Sequence, residues 1–150
     1  MRWNAESLNY YAEAKEYVDT ALIPLVPFNF QEKTQSAAEQ GEYVQLLSEG
    51  IEKQFAGRIM LTPPYTYLQT DSLKSQCEAL KQWDDHLLEA GFAHRFYITG
   101  DPAWRSLSPA EEAEVIWMPP ISLSSMEMKQ VKSVISQQID QIVPLITGRW

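Results

Sequence analysis

Thr20-Ala-Leu-Ile-Pro-Leu-Val-Pro27 carries no charged side chain, and how it is read decides the fold. A strand with one face in water alternates apolar and polar residues. A continuous apolar run instead indicates burial on both faces, as in a parallel sheet held between helix layers. Pro24 lacks a ladder donor, so the expectation is a strand that lies at a sheet edge or stops early.

Helical patterns flank this run. Before it, Asn4 is a good N-cap for a helix reaching about Tyr17, and Trp3 is placed to staple onto Leu8. After it, Ser36-Ala-Ala-Glu39 reads as a capping box. It opens a helix with the stripe Val44, Leu47, Ile51 and Phe55, closed by Gly57. Arg58-Ile-Met-Leu-Thr62 is a second strand stopped by Pro63-Pro64, and Pro63 to Asp71 reads as a crossover loop. Asp71 or Ser72 starts a third helix with Leu73, Cys77, Leu80 and Leu87 inward and Gly91 at its carboxyl end. Arg95-Phe-Tyr-Ile-Thr99 is a third strand ended by Gly100-Asp101-Pro102. Ser108-Pro109-Ala-Glu111 predicts a short helix, with proline at its first position. Glu114-Val-Ile-Trp-Met118 is a fourth strand, stopped by Pro119-Pro120. Ser124-x-x-Glu127 predicts the capping box of the last helix, with Leu123 stapled on Met128. Its stripe is Met128, Val131, Ile135, Ile139 and Ile142, and Pro144 is expected to end or kink it.

Alternation of this kind predicts one domain over residues 1–150. It is a small three-layer α/β/α sandwich with a mostly parallel sheet of about four strands, in the order α-β-α-β-α-β-(short α)-β-α. The direction of the fourth strand stays open, because the stretch between Thr99 and Glu114 fits a hairpin loop or a short crossover. Arg58 and Arg95 each precede three apolar residues, a threonine and a breaker. The plain reading is that each arginine complements the preceding helix end and each threonine marks where its strand emerges.

Composition limits function. The chain has 150 residues, 45% of them hydrophobic and 11% aromatic, and a formal charge of −8. That apolar content excludes a disordered chain, and the acid excess argues against nucleic acid or anionic lipid as partner. The lysines and arginines are scattered, without the stripe and interleaved aromatics of a nucleic-acid reader. No window is apolar enough to insert into a membrane and no export signal is evident, so the cytoplasm is the expected location. A single cysteine, Cys77, makes no internal disulfide.

In an open parallel sheet, ligands bind beyond the carboxyl ends of the strands. Here that rim comprises Asn29, Thr62, Tyr65, Thr99, Asp101, Trp104 and Arg105, with Asp101 and Arg105 the best polar pair. Asp101 between glycine and proline is also ordinary turn chemistry. No catalytic set emerges. Cys77 falls on an apolar helix face. His86, beside Asp84 and Asp85, reads as a solvated helix residue, and His94 lies at the other end of the sheet. No metal-ligand spacing and no glycine-rich phosphate loop is present, so no metal and no cofactor is expected.

Tyr10, Tyr11, Tyr65, Tyr67 and Trp104 are expected outside regular core positions. Aromatics there suit contact with another protein or with a second copy of the chain. The reading is therefore a non-catalytic interaction domain, with a small-molecule site or enzyme at the strand ends as the alternative.

Trp3, the stretch Ala14-Lys-Glu-Tyr-Val-Asp-Thr-Ala-Leu-Ile-Pro-Leu25, Phe55-Ala-Gly-Arg-Ile-Met-Leu61 and Pro144-Leu-Ile-Thr147 carry a resemblance. The chain resembles the YpiF-like family of small uncharacterised proteins from Bacillus-type bacteria over essentially its whole length, most specifically from Lys15 to Pro27. That resemblance implies a cytoplasmic domain of unknown function and supplies no catalytic residues. In element order alone, the chain also looks like the amino-terminal domain of the TolB translocation protein, a resemblance that implies protein–protein contacts.

Overall fold

A computed structural model describes residues 1–150. Helix α1 (Ala5–Ala14) leads through a short 3₁₀ turn into β1 (Thr20–Phe28). There follow α2 (Thr34–Gln54), β2 (Ile59–Leu61), β3 (Tyr65–Leu68), α3 (Leu73–Glu89), β4 (His94–Thr99), β5 (Ala113–Trp117) and α4 (Met128–Thr147). All strands pair in parallel in the order β2-β1-β4-β5, and β3 also pairs with β1. This is the expected three-layer α/β sandwich, with β3 as a fifth strand in the segment read as loop.

β1 is central, not at an edge, and the physical reason corrects the expectation from Pro24. Even-numbered residues of β1 turn their backbone groups toward β2 and β3. Thr62 N–H donates to the Leu22 carbonyl, and Gln69 N–H to that of Phe28. Pro24 is the next even residue after Leu22, where the neighbouring chain is itself interrupted. Pairing runs Leu22 with Leu61 before the break and Leu25 with Tyr65 after it, so the register advances by one residue. The missing donor falls at this bulge, where proline is tolerated and costs no rung.

The sheet separates two cores. Leu22, Phe96, Ile98 and Ile116 pack with Val44, Leu47 and Ile51 of α2 and with Ile135, Ile139 and Ile142 of α4. On the other face, Ala21, Ile23, Leu25, Tyr67 and Tyr97 pack with Leu80 of α3, and with the half-buried Leu8 and Tyr11 of α1. A Cβ at Gly50 would meet Ile139 Cδ1, the tip of that side chain, so Ile139 of α4 packs directly on α2 at this point.

Several local expectations are corrected. α2 begins at Thr34, ahead of the Ser36 box. Its N-cap is Lys33, held at φ 52° without a side-chain cap. In α4 the capping box is formed by Glu127 and Gln130, not Ser124 and Glu127, and exposed Met128 stands outside the buried stripe, which extends to Ile146. Pro144 does not end α4. It lies on the exposed side, and Asp140, whose carbonyl loses the helical donor, is also exposed, so water can serve it. Ser108–Glu111 forms turns; Ser108 Oγ bonds the Ala110 and Ala113 carbonyls, and the connection's short helix is instead the 3₁₀ turn Pro102–Trp104. Trp104, Leu107 and Ala110 pack in the α3-side core along this connection, which brings β5 in parallel to β4.

Candidate functional site

The loops after β1 and β4 leave in opposite directions, toward β2 and β5, which makes the gap between them the sheet's switch point. Asn29 and Asp101 converge there. They line a cavity of about 280 Å³ with Tyr67, Gln69, Asp71 and Ala103. Tyr67 Oη donates to Asp101 Oδ2 at 2.7 Å, and Gln69 Nε2 donates to the same oxygen at 3.3 Å. Asp101 Oδ1 accepts from Ala103 N–H, and Thr99 Oγ1 accepts from Asp101 N–H. Burial and the adjacent carboxylate push the Tyr67 phenol well above its ordinary pKa of 10.0. Asp101 thus caps a turn and anchors a buried tyrosine at once.

The remaining rim residues go elsewhere. Thr99 is fully buried beneath Asp101, and Trp104 is fully buried edge-on against Tyr67. Tyr65 stacks on Tyr67, meets Trp83 edge-on and donates to Gln76 Oε1 at 2.7 Å. Arg105 lies 4.4 Å over the Trp117 ring, and the Asp101 carboxylate is held by Tyr67, Gln69 and the Ala103 N–H, so Asp101 and Arg105 are not paired. Thr62 lies on the far side of β1, where it borders a separate hollow and also the groove between α1 and α3. Tyr67 and Trp104, expected outside the core, are in it.

The two echoed arginines do more than complement helix ends. Arg58 pairs with Asp19 and covers Trp150 at 3.8 Å from the ring centre. Arg95 is buried against Asp84, one of the carboxylates beside His86, and also donates to the Ala93 carbonyl. Cys77 lies half-buried in the α3-side core, and burial raises its thiol pKa. No group of three or more His, Cys, Asp and Glu side chains is arranged to hold a metal ion.

The largest cavity, about 520 Å³, lies between α1 and α3. Trp3, Leu8 and Tyr11 form one wall, Trp83, Leu87 and Phe92 the other, and Met60 is in the floor. Tyr11 and Phe92 stack at 6.0 Å, which closes one end, and exposed His86 stands on the rim. No residue of α1 is buried, and Trp3 is 64% exposed. No helix is long and apolar enough to cross a membrane.

Sequence reasoning did not place Tyr67, Gln69 and Asp71 at the site because they lie in or just after the unrecognised β3, although Tyr65-Thr-Tyr-Leu68 alternates in the manner of a strand. It passed over the groove because its walls come from three separate segments.

A solved structure of a sigma-54 interaction domain protein from Enterococcus faecalis is similar over 85% of this chain and 94% of its own. The identity is 10% and the TM-score 0.39. The uncharacterised protein YpiF of Bacillus subtilis (strain 168) is 33% identical over 152 residues, covering 100% of this chain and 98% of that protein. A family model described as a protein of unknown function, DUF2487, matches residues 9–150. The chain belongs to the DUF2487 family.

Proposed function

We propose that this protein acts without catalysis of its own, by binding another protein in the groove between α1 and α3. One observation carries the reading: an apolar groove of about 520 Å³ has one wall formed by α1, a helix that buries no residue of its own. Apolar hollows flanked by two helices suit the anchors of an amphipathic helix. Covering one large side chain such as Trp3 contributes about 1.5–3 kcal/mol. The cytoplasm is taken as the setting from the sequence reading alone.

Affinity capture from the native host with wild type and Leu87→Asp tests this. The expected result is a protein retained by wild type and lost by the folded variant. Equal capture by both would remove the groove from the proposal.

A second reading rests on the convergence of Asn29 and Asp101 at the switch point, with Tyr67 and Gln69 behind them. It makes this cavity a site for a small polar ligand, as a carrier or an enzyme. A metabolite at 100 times its Kd adds about 2.7 kcal/mol, which raises Tm by roughly 5–10 °C at this chain length. Such a shift, abolished by Asp101→Asn, supports this reading; a metabolite screen without one removes it.

A further inference from the structure

We propose that the open edge of β3 is a self-pairing surface, on which a second copy of this chain adds its own β3 antiparallel about a two-fold axis at Thr66. This edge adjoins the groove at Pro63, which lines it, but self-pairing uses the outward backbone of β3 and does not depend on groove binding.

Pairing with β1 uses the backbone groups of the odd residues of β3, as the Gln69 N–H to Phe28 carbonyl bond and the register of Val26 with Thr66 require. Thr66 and Leu68 therefore turn their backbone groups away from the sheet, and both residues are exposed. No other strand covers them, since β3 pairs with β1 alone. Of these outward groups only the Leu68 carbonyl is occupied; it accepts from Asp71 N–H at 3.1 Å.

A two-fold at Thr66 uses the rest. Each Thr66 N–H meets the other copy's Thr66 carbonyl, and each Leu68 N–H meets the other copy's Pro64 carbonyl, which alternation carries to the same side. Pro64 offers no N–H, and the group opposite it is the Leu68 carbonyl that Asp71 already satisfies. The one missing donor thus faces the one acceptor that needs none. Across the axis, Leu68 lies opposite Pro64 and Thr66 opposite Thr66, the latter a favourable cross-strand pair.

Charge selects the occupant. Two copies each at −8 repel, yet Pro63-Pro-Tyr-Thr-Tyr-Leu-Gln-Thr70 contains no charged residue. The opposite edge, β5, carries Glu114 with Glu111 and Glu112 just before it, so the same operation there would bring acids together. Phe28 and Phe30, exposed and edge-on to each other at 5.2 Å, extend the apolar surface beside Leu68.

Analytical ultracentrifugation of wild type and of Thr66→Pro, Thr66→Lys and Thr66→Glu tests the proposal, with circular dichroism confirming the fold of each. Proline at 66 removes an outward N–H and leaves the β1 rungs intact. Lys or Glu at 66 places like charges on the axis. Wild type should be a reversible dimer, each variant should dissociate at least tenfold more readily, and an equal mixture of the Lys and Glu variants should recover dimer. Wild type that stays monomeric at about 500 μM, where a contact with a Kd in the micromolar range would be mostly dimeric, overturns the proposal. So does a dimer indifferent to every change at Thr66.

Discussion

Arg95 Nε and Nη2 reach the two carboxylate oxygens of Asp84 at 2.9 Å each, and both side chains are 1% exposed. Tyr97 Oη donates to Asp84 Oδ1 at 2.8 Å, so one acid on α3 is tied to two residues of β4. The hydrogen bonds to Asp84 outweigh burial and hold the Arg95 pKa above its ordinary value. This cluster fixes α3 on the sheet and with it the outer wall of the groove.

Removing Asp84 leaves a buried guanidinium and a phenol without partners. Asp84→Ala is expected to cost about 3–5 kcal/mol in denaturant unfolding. Asp19→Ala, which breaks the partly exposed pair with Arg58, is expected to cost about 0–1 kcal/mol. Similar costs for the two would show that the buried cluster is not a principal tie between α3 and β4.

Acid should weaken the fold through Glu52. This buried carboxylate lies 2.8 Å from the Met1 ammonium and 3.1 Å from Arg2 Nε. Burial pushes its pKa up, but those hydrogen bonds outweigh it and set the folded value below the ordinary 4.5. The contribution is therefore complete above the unfolded value and is lost as pH falls through the folded one. Denaturant midpoints should drop below about pH 4.5, and Glu52→Gln should flatten that limb while lowering stability at neutral pH. An unchanged acid limb in the variant would assign the effect to other carboxylates.

Alkali acts through buried phenols. Burial, followed by Asp84, raises the pKa of Tyr97 far above the ordinary 10.0, and burial pushes Tyr43 up to about 12. Above pH 10 the unfolded chain releases phenol protons that the folded chain keeps, so stability falls as pH rises. Absorbance at 295 nm should show the native tyrosines ionising later than those of the denatured chain, and Tyr97→Phe should lessen the alkaline loss of stability. Coincident titration of native and denatured chains would contradict this.

Element type was readable wherever burial imposed a long period. The apolar run of β1, the stripe of α3 and that of α4 beyond Met128 appear as the pattern requires, because each is fixed by core contacts along its length. What escaped was set by single contacts. Whether Pro24 breaks β1 depends on what stands beside it, and the bulge at Thr62–Pro64 is invisible in β1 itself. Ser36 and Ser124 have good cap chemistry, but Lys33 and Glu127 are the N-caps, and tertiary geometry decided between them. At the candidate site, Asn29 and Asp101 were legible because strand ends are. Tyr67 and Gln69 were hidden in and just after a four-residue strand between prolines and turn residues. The aromatic surplus was read correctly at exposed Tyr10 but not at Tyr67 and Trp104, which went inside, while Trp3 and Phe30 came to the surface.

Site-specific photo-crosslinking in host cells tests the central claim most directly, with a benzophenone amino acid placed at Tyr11 or Leu87 in the groove. Leu46 and Leu145, exposed on the α2 and α4 side, serve as controls. The account predicts one discrete crosslinked partner from both groove positions and none from the controls. No crosslink from the groove, or the same products from all positions, would contradict it.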